Sequence, residues 1–344
     1  MDEAEYERVC ALDAYPVAAD GGPGLSVSEE TFAVIKRQVE HRRLRGALRQ
    51  HRQDKTLKRY IARHGSMEED DKRALHQDNK KKTSKRESFC AIAQSVNFSP
   101  CMLARVLLEA KYGWTKTMIS NLFKDVMSGN RRWPLRMPAQ PSQDANGERK
   151  IMLEAEYDRL WKEIGECIYA DPYCSPLADR IRHNVGLEYE YILTAKLQSR
   201  GMVFESEDVL REKGLSKTPD VRLVLPIGVR DKEGELHVVH WIDSKAMFGD
   251  RHTHETENAS QLQGYVNRYG PGMVIYWFGH VANLSSDRDV FITDAFPTDF
   301  LLPGDLDPFE GTPSLSQGDD LQLQHHTVAT SFDDDFHPMS TCVL

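Results

Sequence analysis

The sequence predicts a mixed α/β fold in two units. A basic, all-helical N-terminal region precedes an α/β domain, and an acidic, disordered tail closes the chain. Three observations carry this. Apolar residues recur at helical spacing up to about residue 200, then give way to short apolar runs separated by turn residues. Charge is segregated: residues 36–86 hold 18 Lys or Arg against 7 Asp or Glu, whereas 289–344 hold 11 Asp or Glu and no Lys or Arg. The length, 344 residues of which 40% are apolar, suffices for about two domains.

The formal charge of −9 therefore hides a basic front, and an acidic total does not exclude a polyanionic partner. The longest strongly apolar stretch, Gly272 to Gly279, is too short to span a bilayer, so no membrane association is expected. The opening residues Met1-Asp2-Glu3-Ala4-Glu5 lack the apolar core of a secretory signal. Six cysteines with no Cys-x-x-Cys pair argue against a zinc ribbon or a disulfide framework, and for a reducing compartment.

The elements follow in order. Residues 1–27 read as a flexible N-terminus, with Gly21, Gly22, Pro23 and Gly24 as breakers. Ser26 and Glu29 have capping-box spacing, and Phe32, Ile35 and Val39 continue at helical spacing. Leu57, Tyr60 and Ile61 mark a second helix, ended by Gly65. Residues 66–86 are charged and loose; Lys80, Lys81, Lys82, Lys85 and Arg86 form a cluster of the nuclear-import type or a plain solvated linker. Within a basic helical domain over 28–127, the stretch 87–111 has helix-turn-helix grammar. Phe89, Ile92, Ala93 and Val96 form one short helix, Asn97 and Phe98 a turn, and Ser99-Pro100 the start of the next. On that reading Arg105 and Lys111 face nucleic-acid phosphates; the alternative is a helical hairpin inside a small bundle. Residues 128–148 read as a linker, placing an α/β domain at 149–300 and a disordered acidic tail at 301–344.

Inside the α/β domain, helices are expected from about Ile151 to Tyr169 and from about Pro176 to Gln198. Strands are expected at Met202–Phe204, Val221–Ile227, Leu236–Ala246, Gly272–Gly279 and Val290–Thr293, with a helix at about Asn258–Arg268. Asp231 to Gly234 make the turn of a hairpin, which sets Asp220, just before one strand, near Asp243 at the end of the other. Asp243 and Lys245 alternate onto one face. On the long helix, Ile181, Val185, Glu188, Ile192 and Ala195 form one stripe, which assigns Glu188 rather than Glu190 to the sheet side. Carboxylates in such a place need compensation, which a divalent cation supplies. Asp220, Asp243 and Glu188 are thus the expected ligands of Mg²⁺, or of Mn²⁺. Lys245 is expected to stay protonated and to stabilise charge in phosphodiester hydrolysis.

Pro219-Asp220 with Asp243-Ser244-Lys245 resembles the signature of the PD-(D/E)XK nuclease superfamily, and Gln261 with Tyr265 is similar to an accessory motif in some of its exonuclease branches. Lys217-Thr218-Pro219-Asp220, His240 to Ala246, Phe248-Gly249-Asp250 and Asn267 to Gly272 resemble the TPD-motif branch. The resemblance implies a restriction-endonuclease-like αβββαβ core and a metal-dependent nuclease. It also implies substrate-orienting roles for Gln261 and Tyr265, a codanin-type protein partner, placement in nucleus and cytoplasm, and a role in erythroid-type differentiation. DNA is favoured over RNA as substrate. The other function class is an adaptor that keeps the fold to bind nucleic acid or its protein partner and cuts nothing. His252 and His254 are expected to be rim residues, Trp241, Tyr276 and Trp277 core residues rather than base-stacking ones, and Cys167 and Cys174 core thiols.

Overall fold

The computed structural model describes residues 1–16, 25–65, 86–131, 154–284, 287–303 and 305. The import-type cluster at Lys80–Lys85, most of the expected linker and almost all of the acidic tail lie outside these residues.

Several of the described helices begin where short polar side chains cap them. Helix α1 (Glu3–Ala11) is capped by Asp2, which accepts from Glu5 N–H at 2.7 Å. Helix α2 (Glu29–His51) is capped by Ser28, not Ser26; Ser26 instead donates its N–H and hydroxyl to the Glu5 carboxylate, both at 2.6 Å. Helix α3 (Asp54–His64) ends at Gly65, as its sequence predicts. Residues 1–16 and 25–27 are therefore not simply a flexible lead, and the breakers Gly21 to Gly24 lie outside the described residues. Val9 of α1 is fully buried against the α/β domain, and Ala282 N–H donates to the Met1 carbonyl at 2.7 Å.

Helices α4 (Phe89–Ser95), α5 (Pro100–Tyr112), α6 (Lys116–Ser128) and α7 (Glu154–Ala170) build one core with α3. Ser99 caps α5 by accepting from Met102 N–H at 3.0 Å. The α4–α5 bend of 115° lies in the helix-turn-helix range. The second helix, however, is not a free recognition helix. Cys101, Leu103, Ala104, Val106, Leu107 and Leu108 are buried, which encloses α5 on nearly every side. This is the packing of a bundle's central helix. Helix α7, assigned by its position in the sequence to the second unit, buries Tyr157, Leu160, Ile164 and Cys167 in this same helical core. Among the described residues no single helix is long and apolar enough to cross a membrane.

Helix α8 (Pro176–Ser199), capped by Ser175, leads into the sheet. Strand β1 (Phe204–Ser206), short helix α9 (Glu207–Glu212), β2 (Val221–Arg230), β3 (Leu236–Lys245), helix α10 (Ala259–Tyr269), β4 (Gly272–Tyr276), β5 (Val290–Thr293) and β6 (Phe300–Leu301) follow. A π-helical turn, Thr253–Asn258, runs into α10. The sheet order is β1-β2-β3-β4-β5, with β6 beside β2. β1, β2, β3 and β6 pair antiparallel, and β3, β4 and β5 pair parallel. The mixed sheet is thus as expected; α9 and β6 are additional.

Each sheet face has its own core. One packs Leu193 and Leu197 of α8 against Val221, Val239, Ile242 and Ile275. The other packs Phe32 and Ile35 of α2 against Trp241, Phe248, Tyr265 and Tyr276. At 23 residues α2 is about 34 Å long. Its far end, through Leu44, reaches the helical core.

Candidate active site

The register of the β2–β3 hairpin pairs Val221 with Ile242. One step beyond, Asp220 stands opposite Asp243. Thr218 and Pro219 are buried just ahead of it, and Pro219 fits the strand entrance, where no ladder hydrogen bond is lost. Asp220 Oδ2 accepts from Ser244 N–H at 2.6 Å, which ties the β2 entrance to the end of β3. Asp243 is 1% exposed. Lys245, two residues on and on the same face, places its Nζ 2.6 Å from Asp243 Oδ2.

Helix α10 closes the other side. Lys245 Nζ donates to Gln261 Oε1 at 3.1 Å, and Gln261 Nε2 donates to the Tyr265 hydroxyl at 2.6 Å. Tyr265 is itself fixed edge-on against Trp241, with ring centroids 5.2 Å apart. The structure therefore brings together five of the expected residues: Asp220, Asp243, Lys245, Gln261 and Tyr265. Trp277 joins them by donating its indole N–H to the Ser244 hydroxyl at 2.8 Å.

Glu188 is the exception. It is exposed on α8, whereas Glu190 is half-buried and interacts electrostatically with Asp243 and Lys245. The buried stripe is Tyr189, Leu193 and Leu197; of the expected stripe, Val185 and Ile192 pack partly buried on the core, whereas Ile181 and Glu188 are exposed. At 100° per residue, Glu190 lies about 20° from Leu197, and Glu188 about 180° from it. The carboxylate beside the strand ends is thus Glu190.

Electrostatics set this cluster apart. Burial, then the charge of Asp243, raises the Asp220 carboxyl well above its ordinary range. Burial, then Glu207 and Asp243, raises Glu190 as well. Burial opposes the charge of Lys245, but the carboxylates of Asp243 and Asp220 outweigh it and the pKa is raised, keeping the ammonium protonated. Asp243 Oδ2 is buried, and the Lys245 ammonium at 2.6 Å is its one close cationic partner among the described residues. A buried carboxylate oxygen of this kind, among three clustered carboxylates, fits an oxygen-ligated divalent cation.

A stability consequence follows from the raised Asp220 pKa. A group whose folded pKa lies above its unfolded value adds stability below the unfolded value, and loses it as pH rises through the folded one. The ordinary aspartate value is 3.8. Asp220→Asn is therefore expected to raise the Tm of the metal-free protein by at least about 2–4 °C, the shift that ~1 kcal/mol produces in a domain of this size. The gain should widen as pH rises from about 4 upward, through the ordinary aspartate value and above it. Thermal denaturation in EDTA across that range checks it; a pH-independent difference would contradict the assignment.

Arg105 and Lys111 point inward. The Arg105 guanidinium lies 4.3 Å over the Phe123 ring. Lys111 donates to the Gly65 carbonyl at 2.5 Å and sits 3.3 Å from the Glu156 carboxylate. Both are framework residues of the bundle rather than phosphate contacts. His254, expected at the rim, is 5% exposed and hydrogen-bonds through Nδ1 to the Tyr276 hydroxyl at 2.9 Å. Trp241, Tyr276 and Cys167 are core residues, as expected, whereas Trp277 and Cys174 are half-buried. Phe248-Gly249-Asp250 is a structural joint. Asp250 accepts from Arg42 of α2 at 2.7 Å, and a Cβ at Gly249 would come within 2.7 Å of the Tyr276 ring.

With this geometry in view, a family model described as a protein of unknown function with the TPD sequence motif matches residues 156–296, which takes in α7 as well as the sheet. CDAN1-interacting nuclease 1 of Danio rerio is 36% identical over 250 residues, covering 71% of this chain and 74% of that protein. Its Xenopus laevis counterpart is 34% identical over 221 residues, 62% of this chain and 63% of the relative. The Homo sapiens counterpart is 33% identical over 218 residues, 61% and 66%. No solved structure matches. The matched segment carries Thr218-Pro219-Asp220 at the entrance of β2, and on these grounds the chain belongs to the TPD-motif family that includes the CDAN1-interacting nuclease 1 proteins.

Proposed function

We propose that this protein is a metal-dependent nuclease, hydrolysing phosphodiester bonds of nucleic acid with DNA preferred over RNA, and that it works with a codanin-type partner. The observation that carries the enzymatic reading is the buried Asp243 carboxylate, ion-paired to Lys245 at 2.6 Å and clustered with two further carboxylates, Asp220 and Glu190. The all-oxygen set of Asp220, Asp243 and Glu190 would hold Mg²⁺, or Mn²⁺, and replaces the set with Glu188. A bound divalent cation supplies Lewis-acid polarisation of a phosphoryl oxygen and a more acidic water.

The chain's own residues do the rest. Ser244 N–H fixes the Asp220 carboxylate through one oxygen. Lys245, protonated, stabilises the negative charge that builds on the phosphoryl oxygens. Gln261 holds that ammonium in place: its N–H group is committed to Tyr265, so only its carbonyl oxygen is free to face Lys245.

A cleavage assay with labelled single-stranded, duplex and flap DNA and with RNA, in Mg²⁺, Mn²⁺ or EDTA, tests the reading. Cutting that needs the divalent cation supports it. A folded protein that cuts none of these in any metal overturns it in favour of the adaptor reading, which the inward-facing Arg105 and Lys111 favour. Glu190→Gln is expected to lower cleavage by at least about 10- to 100-fold, the cost of losing even a residue that only supports a metal's ligands, and Glu188→Gln to leave it within about two-fold. Equal effects of the two substitutions would remove Glu190 from the site. The partner proposal rests on the names of the relatives. Co-purification with the codanin homologue should survive Asp220→Ala and Lys245→Ala.

A further inference from the structure

The loop that delivers Thr218-Pro219-Asp220 to the site carries a feature that the carboxylates do not explain. Lys217 has φ +54°, the left-handed region that costs an L-residue other than Gly, Asn or Asp of order 1 kcal/mol or more. The neighbours over-determine this conformation. Thr218 is buried and its hydroxyl donates to Glu207 Oε1 at 3.1 Å. On the other side, the guanidinium of Arg268 donates to the Ser216 carbonyl.

The strained backbone sends the Lys217 side chain back over α10. Its Cδ and Nζ lie 3.5 and 4.0 Å from the position where a Cβ would stand on Gly264. Gly264 is three residues beyond Gln261, and Arg268 seven beyond it. At 1.5 Å rise and 100° per residue they lie about 4.5 Å and about 10.5 Å along the helix, about 60° and about 20° round from Gln261. Gln261 itself touches Lys245. Lys217 and Arg268 therefore continue, along one face of α10, the line that starts at the carboxylates.

Both cations are exposed, and among the described residues neither has an ion-pair partner. An exposed lysine is ordinarily just solvated. This one occupies a strained conformation, in a gap left by a glycine, beside an acidic cluster of Asp220, Asp243, Glu190 and Glu207. A polyanion approaching that cluster is repelled unless cations stand beside it.

We infer that Lys217 and Arg268 form the gripping lip of the site and bind backbone phosphates of a nucleic-acid strand laid across the carboxylates. The inference rests on the nuclease reading for the kind of ligand, but not on cleavage.

The test is binding of a 5′-labelled single-stranded DNA oligonucleotide to the full chain in EDTA, by fluorescence anisotropy across a salt series. Lys217→Asn removes the charge while keeping a residue that tolerates the left-handed conformation. It is expected to raise Kd about 3- to 10-fold and to flatten the slope of log K against log salt by about 0.7, the value of one lost single-strand phosphate contact. Lys217→Arg should keep both near wild type, and Lys232→Gln, on the distant hairpin turn, should change neither. Wild-type affinity and slope in Lys217→Asn, or no binding by the wild type at all, would overturn the inference. Binding that depends on Lys217 in a protein that cuts nothing with any divalent cation would sink the nuclease reading and leave the lip standing.

Discussion

Asp220→Ala and Lys245→Ala proteins are expected to lose phosphodiester cleavage by about a hundred- to a thousand-fold while keeping their fold and most of their affinity for nucleic acid. The two residues contribute differently. Asp220 supplies a carboxylate held through Ser244 N–H, and its removal leaves the carboxylate set incomplete. Lys245 supplies a fixed positive charge in a cleft whose burial strengthens it. Removing one pre-placed donor from such a site costs about a hundred- to a thousand-fold in turnover, and Lys245→Ala also leaves Asp243, 1% exposed, without its counter-charge. The effects should not add, because the residues act on one transition state. Gln261→Ala, which only frees the ammonium, is expected to cost about ten-fold, read in kcat rather than KM. Single-turnover cleavage beside anisotropy in EDTA separates chemistry from binding. A Lys245→Ala protein that cuts at the wild-type rate would refute the assignment outright.

Gly272→Ala is expected to be the most damaging single-methyl change in the sheet. Gly272 opens β4 directly beneath the Trp241 indole, and a Cβ there would stand 2.1 Å from Trp241 Cε2. The indole cannot swing aside. It is fully buried, its N–H donates to the Gly270 carbonyl at 2.8 Å, and Tyr265 packs edge-on against it. Overpacking of a rigid core costs typically 1–3 kcal/mol and more when nothing yields. We expect about 3 kcal/mol or more, which lowers Tm by about 6–12 °C in a chain of this size. Because Tyr265 leans on the displaced ring and its hydroxyl orients Gln261, the residual folded protein should also lose turnover. Gly186→Ala is the matched control. Its Cβ would meet nothing within 4 Å, so the better helix propensity of Ala should stabilise α8 by up to about 1 kcal/mol. Thermal denaturation of both variants decides the matter; a Gly272→Ala protein as stable as wild type would show that Trp241 is free to move.

What the sequence determined by itself is what local chemistry encodes. Ser99, Ser175 and Gly65 punctuate helices because capping involves only neighbouring backbone groups. The turn at Asp231–Gly234 makes β2 and β3 a hairpin, and a hairpin fixes which residues stand opposite, so Asp220, Asp243 and Lys245 were legible as one cluster. Gln261 and Tyr265, one helical turn apart, were marked only by the resemblance of their spacing to the accessory motif, not by local chemistry.

Tertiary structure decided whatever depends on the phase of one element against another. A helix with apolar residues on two adjacent stripes, as α8 has at Ile181–Val185–Ile192 and at Tyr189–Leu193–Leu197, does not declare how it is rotated against the sheet; here the second stripe is buried, and Val185 and Ile192 pack only at its margin. That choice moved the third carboxylate from Glu188 to Glu190. The same cause turned Lys111 inward to the Gly65 carbonyl, and put α7 into the helical core although it follows the expected linker. It also docked α1, whose single buried Val9 is too weak a signal to read without its partners. Cations such as Lys217 look alike in a sequence; only a backbone held in the left-handed region, and a glycine opposite it, set this one apart.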